Sequence, residues 1–153
     1  MLNVVSSSLV FQNGNKYLLA LEKRRLTKDG PKDSILLHPI GGKVEEINGI
    51  IENGLQAACR EFKEETRFNL ETYKNLSKRS KEIKMFIKCV GREKNHKYYI
   101  VNLDKFPEFN EILTYDFRPS GTDSIVELVW LTIQEMRNNL NKSDLVKTMI
   151  DKL

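Results

Sequence analysis

The segment GLQAACREFKEET, residues 54–66, constrains the fold more than any other part of the sequence. Its apolar side chains Leu55, Ala58, Cys59 and Phe62 recur at the i, i+3, i+4, i+7 spacing of a helix with one buried face. Most of the remaining positions are charged or polar, as on the solvent side of such a helix. We therefore predict an amphipathic helix over 54–66 that packs its apolar side on the rest of the fold.

The sequence around this helix predicts a mixed sheet. Runs of β-forming residues at 4–11 and 16–21 are joined by an Asn-Gly-Asn turn, which indicates a hairpin. Thr132 and Glu135 match a capping box at the start of a further helix. The other predicted elements are strands at 34–38, 81–90, 97–103 and 125–131, a glycine turn at 41–42, and helices at 133–140 and from 141–143 to about 152. At 153 residues the chain has the length of a single domain, 1–153.

Composition and charge limit the class of partner. The formal net charge of +4 favours anionic partners, but the 25 basic and 21 acidic residues are spread along the chain, which is typical of a solvated surface and not of a nucleic-acid groove. No apolar run approaches membrane-spanning length, and the N-terminal residues lack a basic leader before an apolar core. We expect a cytoplasmic protein with no membrane partner.

The cysteines and histidines do not form a pattern typical of chemistry. Cys59 and Cys89 lie outside any CxxC pair or His spacing that binds metal, so we expect two reduced, mostly buried thiols. His38 is expected as a buried imidazole with satisfied hydrogen bonds and His96 as an exposed one in a hairpin turn. Three aromatic residues could stack a base, although sheet aromatics more often belong to the core: Tyr98, Tyr99 and Phe117.

The chemistry is concentrated in the acidic residues of the predicted helix. Glu61, Glu64 and Glu65 are three and four residues apart and therefore project from one face, where like charges repel. Hard divalent cations such as Mg²⁺ prefer carboxylate oxygens and complete their coordination with water and substrate phosphates. A metal ion is thus the natural neutraliser of this face.

A solvated, salt-bridged surface is the alternative interpretation of this acidic face. The basic residues Arg60, Lys63 and Arg67 are close enough in sequence to offset the charge. The Gly41-Gly42 pair just upstream favours the metal interpretation, because glycines let backbone groups approach an ion or a phosphate closely.

These residues resemble the Nudix box, G-x5-E-x7-R-E-U-x-E-E-x-G-U, in which U is a bulky apolar residue. In register with it are Glu52, seven intervening residues, Arg60-Glu61, Phe62, Lys63, Glu64-Glu65 and Phe68. Residues 39–45 before the box and 127–136 near the end of the chain are similar to the family as well. The resemblance covers nearly the whole chain and is strongest over 39–68.

The sequence departs from the box in two places. Between Gly42 and Glu52 there are nine residues where the box has five, so the loop carries four extra residues. Arg67 replaces the box glycine, at a helix end that often requires a left-handed backbone. Neither change removes a carboxylate; the insertion is a loop change of low thermodynamic cost.

The resemblance implies a Nudix-type α/β/α sandwich with a mixed β-sheet, and a magnesium-dependent hydrolase. It implies that Glu61, Glu64, Glu65 and the Gly41 carbonyl bind one to three Mg²⁺ ions, for which Mn²⁺ can substitute. Arg60 and Glu52 would form a pair that orients the acidic group. The metal would neutralise pyrophosphate oxygens and lower the pKa of a bound water, with Glu64 as the proton acceptor.

Five further residues are weaker candidates for substrate binding. Asp123 and Glu127 match the region where relatives supply a base or an extra ligand, although a turn Asp and an outward-facing strand Glu are equally expected there. Glu45 matches an acidic position near the metal, against a solvated loop carboxylate. Arg24 and Arg25 could bind phosphate, against an ordinary surface pair.

Three functions remain open. The first is hydrolysis of a small nucleotide, in which a phosphoanhydride bond of a nucleoside diphosphate linked to another group is cut. The second is removal of an RNA 5′ cap or pyrophosphate, for which the basic charge is the only support. The third is a catalytically inactive Nudix-fold binding module, against which the intact Glu61, Glu64 and Glu65 argue. We expect a monomer or a homodimer.

Overall fold

A computed structural model describes residues 3–24, 34–68, 72–121 and 123–153 of the chain, without the side chains of Arg24 and Thr72. The strands are β1 Val4–Asn13, β2 Lys16–Arg24, β3 Ser34–His38, β4 Gly41–Lys43, β5 Glu46–Ile47, β6 Ile50–Ile51, β7 Lys84–Gly91, β8 Lys94–Asn102 and β9 Ile125–Thr132. The helices are α1 Gly54–Thr66, α2 Thr72–Lys78, α3 Ile133–Asn138 and α4 Asp144–Lys152, with 3-10 turns at Ser80–Glu82 and Pro107–Thr114.

The main sheet is mixed, as the sequence predicted. Its strands run in the order β3-β2-β1-β8-β7, with β4 paired to β1 and β9 paired to β2. Strand β1 is parallel to β8, with Val10 opposite Ile100, and the other strand pairs are antiparallel. Strands β1 and β2 pair with each other only next to their turn. Farther along, β1 pairs on that side with β4, and β2 pairs on that side with β3.

Helices cover both faces of this sheet, which confirms the α/β/α sandwich. Successive side chains of a strand point to opposite faces, and β1 follows this rule. Phe11 packs edge to face on Phe62 of α1, with ring centroids 5.3 Å apart. Val10, the preceding residue, instead packs in a second core with Val146 and Met149 of α4.

Helix α1 has the predicted bounds, 54–66, because both its start and its buried face are encoded locally. Asn53 caps the N-terminus: its side chain accepts from the Gln56 backbone, and the Gln56 side chain accepts from the Asn53 backbone. Phe62 at its centre is fully buried. Truncating such a side chain to Ala typically costs about 3–5 kcal/mol.

The structure corrects several predicted boundaries. The 41–42 pair lies in a strand, β4, and not in a turn, because it pairs with Ser7 and Ser8 of β1. The β7–β8 turn is tighter than predicted, with Glu93 at φ 56°. Helix α3 ends at Asn138. Helix α2 and the two 3-10 turns were not predicted.

The longer box loop forms a small hairpin, β5–β6. Its turn residues Asn48 and Gly49 have φ values of 52° and 79°, the left-handed backbone that an Asn-Gly turn supplies readily. Ile50 and Ile51 are 73% and 72% exposed, so the extra residues project from the surface. Among the described residues, no helix is long and apolar enough to cross a membrane.

Candidate functional site

Arg60 lies at the centre of a network of carboxylates. Its Nε and one terminal nitrogen donate to the two carboxylate oxygens of Glu52, both at 2.9 Å. Its other terminal nitrogen donates to Glu61 and to Glu64, both at 3.1 Å. We call these four residues, Arg60, Glu52, Glu61 and Glu64, the Arg60 cluster. Carboxylates separated by up to twelve positions in sequence are thus brought together by one guanidinium.

Glu52 is the anchor of this cluster. It closes the β5–β6 hairpin: its Oε1 accepts from the Glu45 amide at 3.0 Å, and its own amide donates to the Glu45 carbonyl at 2.9 Å. The Glu52 side chain is only 7% exposed. The bidentate bond from Arg60 lowers the pKa of Glu52 below its usual range, and the same bond raises that of Arg60. The pair is therefore permanently ionised at neutral pH.

Glu61 is held against strand β4. A Cβ atom placed on Gly42 would collide with the Glu61 carboxylate, so a glycine is required for this close approach. Burial raises the pKa of Glu61, in opposition to the bonds from Arg60. Because desolvation disfavours the charged form, an additional cation beside Glu61 would be stabilising.

Glu64 is the accessible member of the cluster. Its side chain is 60% exposed and lines a cavity of about 550 Å³ together with Arg60, Lys63 and Arg67. Glu65, the next residue, is half-buried, and its Oε2 is shielded from solvent. The helix thus presents one open carboxylate and two that are more enclosed.

The donor set suits a hard divalent cation by its chemistry. Carboxylate oxygens are the preferred ligands of Mg²⁺, and the burial of Glu61 favours a positive neighbour. Within the described ranges, however, no group of three or more His, Cys, Asp or Glu side chains converges closely enough to hold a metal. The cation that Glu61 and Glu64 share is the Arg60 guanidinium.

Arg67 takes the left-handed conformation that the box glycine would supply. Its φ and ψ are 58° and 12°, and its amide donates to the Lys63 carbonyl at 2.8 Å to close the helix. Its guanidinium donates to Asp123 Oδ2 at 2.9 Å. The helix end is therefore regular despite the substitution.

The other candidate residues lie at different distances from the cluster. Gly41 lies in β4, beside the Ser7 carbonyl. Glu45 is 56% exposed, and one of its oxygens is 3.8 Å from Arg60. Asp123 accepts from the Ser120 amide and from Arg67, and both bonds lower its pKa.

The structure does not bring Glu127 to the cluster. It is exposed and pairs with Leu21; by strand alternation it shares a face with Val129, which packs in the core beside α4. Arg24 ends β2, where its backbone pairs with Ser34. Arg25 lies outside the described residues.

The opposite face of the sheet carries a second polar group that the sequence did not predict. His96 is 3% exposed and its two ring nitrogens lie 2.7 Å from the hydroxyls of Ser6 and Ser8. We call these three residues the His96 cluster. Burial lowers the pKa of His96 to about 4, so the ring is neutral at pH 7. The expectation of an exposed His96 was wrong because β8 begins at Lys94 and places the residue inside the sheet.

Of the other predictions for single side chains, some are confirmed and one is partly wrong. His38 is buried and bonds to the Ser143 hydroxyl at 2.9 Å, as expected. Cys59 is buried, but Cys89 is exposed, so the expectation of two mostly buried thiols was half wrong; Cys89 lies on β7, at the edge of the sheet order. Tyr98 and Tyr99 are core residues.

Comparison with known proteins identifies the family and supports the fold. The family model described as the NUDIX domain matches residues 1–151. A NUDIX hydrolase structure from Nitrosomonas europaea is 21% identical, with a TM-score of 0.53 over 99% of this chain and 87% of that chain. An Ap4A hydrolase from C. elegans is 17% identical, with a TM-score of 0.55 over 96% of this chain and 93% of that chain.

A third similar structure is an ADP-ribose pyrophosphatase from Streptococcus suis, 14% identical, with a TM-score of 0.51 over 100% of this chain and 87% of that chain. No curated protein matches the chain. At these identities the solved structures establish the fold alone.

Proposed function

The chain belongs to the NUDIX domain family, a family of hydrolases, and from that membership we propose that it hydrolyses a phosphoanhydride bond in a nucleoside diphosphate linked to a further group, with Mg²⁺ as cofactor and Mn²⁺ as a substitute. The observation that carries the proposal is the Arg60 cluster, in which Glu52, Glu61 and Glu64 bond to one arginine. A solvated acidic surface would not require a glycine against one carboxylate or burial of another.

The residues that would hold the metal are Glu61, Glu64, Glu65 and the Gly41 carbonyl. When bound, the metal supplies neutralisation of the phosphate oxygens and a lowered pKa for the attacking water. Glu61 is half-buried and Gly42 lies against it, so its carboxylate is fixed in place before any ligand binds. That fixed position removes part of the entropic cost of assembling the site.

The side chains of the site have separate roles in the proposed reaction. Glu52 holds the Arg60 side chain through two bonds, and Arg60 in turn orients Glu61 and Glu64. Glu64 is exposed to the cavity, where it can accept the proton of the attacking water. Asp123 is less suited to that role, because its bonds from Arg67 and Ser120 favour the ionised form and occupy one oxygen.

The proposed substrate is specified only as a nucleotide, and this class is proposed by similarity to family members. The similar structures include an Ap4A hydrolase and an ADP-ribose pyrophosphatase, so the second group in this substrate could be a further nucleotide or a sugar phosphate. The intact carboxylates of α1 disfavour an inactive binding module. An RNA 5′ end rests only on the net charge of +4. We propose one cytoplasmic domain, 1–153, acting as a monomer or homodimer.

Glutamine substitutions at Glu61 and Glu64 test the proposal. We expect E61Q and E64Q each to lower the Mg²⁺-dependent rate by roughly a hundredfold or more on the best substrate from a panel of nucleotides and capped or triphosphorylated RNA. Excess chelator should abolish the wild-type rate. The matched control is E111Q, at an exposed glutamate in the 3-10 turn Pro107–Thr114.

Two results would contradict the proposal. Full turnover in excess chelator would exclude a metal-dependent mechanism. Normal rates in both E61Q and E64Q, with E111Q also normal, would mean that the acidic face is only a solvated surface.

A further inference from the structure

The Arg67 side chain joins helix α1 to a distant segment of the chain. Its two terminal nitrogens donate to the carboxylate of Asp123, at 2.9 Å, and to the carbonyl of Arg118. Its guanidinium also lies over the Phe117 ring, 5.4 Å from the centroid. A glycine, the usual residue of the box at this position, could make none of these contacts.

The part of the chain held in this way comprises residues 115–121 and Asp123, since residue 122 lies outside the described residues. We call these described residues segment 115–123. Asp123 Oδ2 accepts from the Ser120 amide at 2.8 Å as well as from Arg67, so the carboxylate closes a turn within the segment. The Tyr115 hydroxyl donates to the Thr66 carbonyl at 2.6 Å at the other end. Both ends of the segment are thus attached to the last turn of α1.

The attachment lies beside the proposed catalytic carboxylate. Arg67 lines the same 550 Å³ cavity as Arg60 and Glu64. Its distance from the chemistry is one helical turn, since Glu64 precedes it by three residues. Any displacement of the Arg67 side chain therefore changes both the cavity wall and the position of the segment.

We propose that Arg67 is a positioning residue that holds segment 115–123 against the end of α1, next to the cavity that Arg67 lines with Arg60 and Glu64, so that the segment borders the bound substrate. The inference rests on the proposed function, because it assumes that substrate occupies the cavity beside Glu64. The segment contributes to binding of the substrate group beyond the scissile phosphates. Phe117 helps to hold it in place, because its ring packs against the core and lies under the Arg67 guanidinium. The carboxylates of the Arg60 cluster carry the chemical step without it.

The variant R67G separates this role from helix capping. Glycine adopts φ 58° more readily than arginine, so the helix end is kept while every side-chain contact is lost. We expect KM for the best substrate to rise three- to tenfold with kcat within twofold of wild type, the scale of a partly exposed charged hydrogen bond. The partner variant D123N should have a similar effect, and R67G/D123N should be no worse than either single variant.

Hydrogen exchange gives a second measurement that does not depend on activity. In the metal-free protein, peptides that cover 115–123 should exchange at least several-fold faster in R67G than in wild type, while α1 peptides before residue 60 remain unchanged. R67K keeps the charge but not the two-pronged geometry, and its KM and exchange should fall between those of wild type and R67G. The matched control is R118A, because the Arg118 side chain is 85% exposed and, among the described residues, bonds to Asp116 within the segment.

Each outcome decides between the alternatives. Faster exchange together with a raised KM supports the positioning role. Unchanged exchange and unchanged KM in R67G would reduce Arg67 to a helix cap. A raised KM with unchanged exchange would mean direct contact between Arg67 and substrate, and would also overturn the inference. If wild type hydrolyses no nucleotide with Mg²⁺, the proposed function fails, whereas the exchange result still decides whether Arg67 holds the segment.

Discussion

The two faces of the sheet accommodate polar side chains in opposite ways, one with charged groups and the other with neutral ones. Beside α1, the Arg60 cluster keeps full charges, with Glu64 open to a cavity and Glu52 almost enclosed. On the α4 side, the His96 cluster is largely buried and neutral, and both imidazole nitrogens lie within hydrogen-bond distance of serine hydroxyls. Burial depresses the pKa of His96 to about 4, whereas the Glu52 pKa is lowered by its bonds to Arg60.

The difference in charge between the two clusters distinguishes the proposed reactive site from a group that only supports the fold. A buried charge is costly unless it is paired, so charges retained next to a cavity indicate a site that interacts with charged ligands. A neutral, fully bonded imidazole has no free nitrogen for catalysis and serves to specify the packing of β1 on β8. Four experiments test this contrast, beginning with the largest expected effect.

Removal of the Arg60 charge should have the largest effect. In R60M the Glu52 carboxylate, 7% exposed, loses its cationic partner. We expect the metal-free protein to lose about 2–4 kcal/mol of unfolding free energy, because an unpaired carboxylate remains largely buried. The hydrolysis rate should fall by roughly a hundredfold, since Glu61 and Glu64 also lose their common donor. Urea unfolding and the Mg²⁺-dependent rate measure the two quantities.

A double variant distinguishes pairing from loss of packing. In R60M/E52Q no carboxylate is left uncompensated at position 52, so most of the stability should return while the rate stays low. If R60M is as stable as wild type, the pair does not hold the Arg60 cluster together.

The His96 cluster should produce a pH-dependent stability on the other face. The unfolded histidine binds a proton near pH 6.5, whereas the buried ring does so only near pH 4. A depressed pKa contributes stability that is complete above pH 6.5 and is lost as the pH falls towards 4. The loss over this window should reach about 3 kcal/mol.

The variant H96N isolates this contribution, because an amide can bond to the serines but does not titrate. Unfolding free energies of wild type and H96N at pH 7, 6 and 5 should approach each other as the pH falls. Lys88 and Asp144 line the cavity beside His96, so the same titration in 0.5 M salt controls for their charges. Parallel curves for the two proteins would show that His96 is not the titrating group.

The two faces also show which structural features could be predicted from the sequence. The spacing of Glu61, Glu64 and Glu65 placed them on one helical face, because helix geometry is local. The α1 bounds were predicted correctly for the same reason, because Asn53 caps the helix through bonds to Gln56, three residues along the chain. The side of the sheet on which a strand residue lies is less predictable. For Glu127 it depends on a register shift in the β2–β9 pairing, and for His96 on where β8 begins.

The Arg67 contacts could not be predicted from sequence at all. They join residues separated by more than fifty positions, Arg67 with Arg118 and Asp123. Arg67 stands at the position of the box glycine, and its backbone adopts the left-handed conformation that a glycine would supply. The side-chain contacts are available to offset the cost of that conformation.

A methyl group at Gly42 should have a smaller effect, confined to the α1 face. The added Cβ meets the far end of the Glu61 side chain, which can move, so the fold should persist. We expect G42A to weaken the apparent Mg²⁺ affinity by about tenfold, because Glu61 no longer occupies its fixed position. The control is G91A, whose Cβ would make only an ordinary contact with Lys94 at 3.5 Å. Equal Mg²⁺ dependence of the two variants would exclude Glu61 as a metal ligand.

The smallest expected effect concerns the cavity of about 350 Å³ on the α4 side, which Cys89 lines together with His96 and Lys88. Cys89 is exposed and Cys59 is buried in the core, so a maleimide should label Cys89 alone in the folded protein and Cys59 only after unfolding. If chemistry is restricted to the α1 face, a bulky group on Cys89 should leave the hydrolysis rate within about twofold of the unlabelled enzyme. C89S, treated with the same reagent, should be unlabelled, and its stability should lie within about 0.5 kcal/mol of wild type. A large loss of rate on labelling, with C89S unaffected and the labelled protein still folded by circular dichroism, would show that the α4 face takes part in function, and the division between a charged catalytic face and a neutral structural face would be wrong.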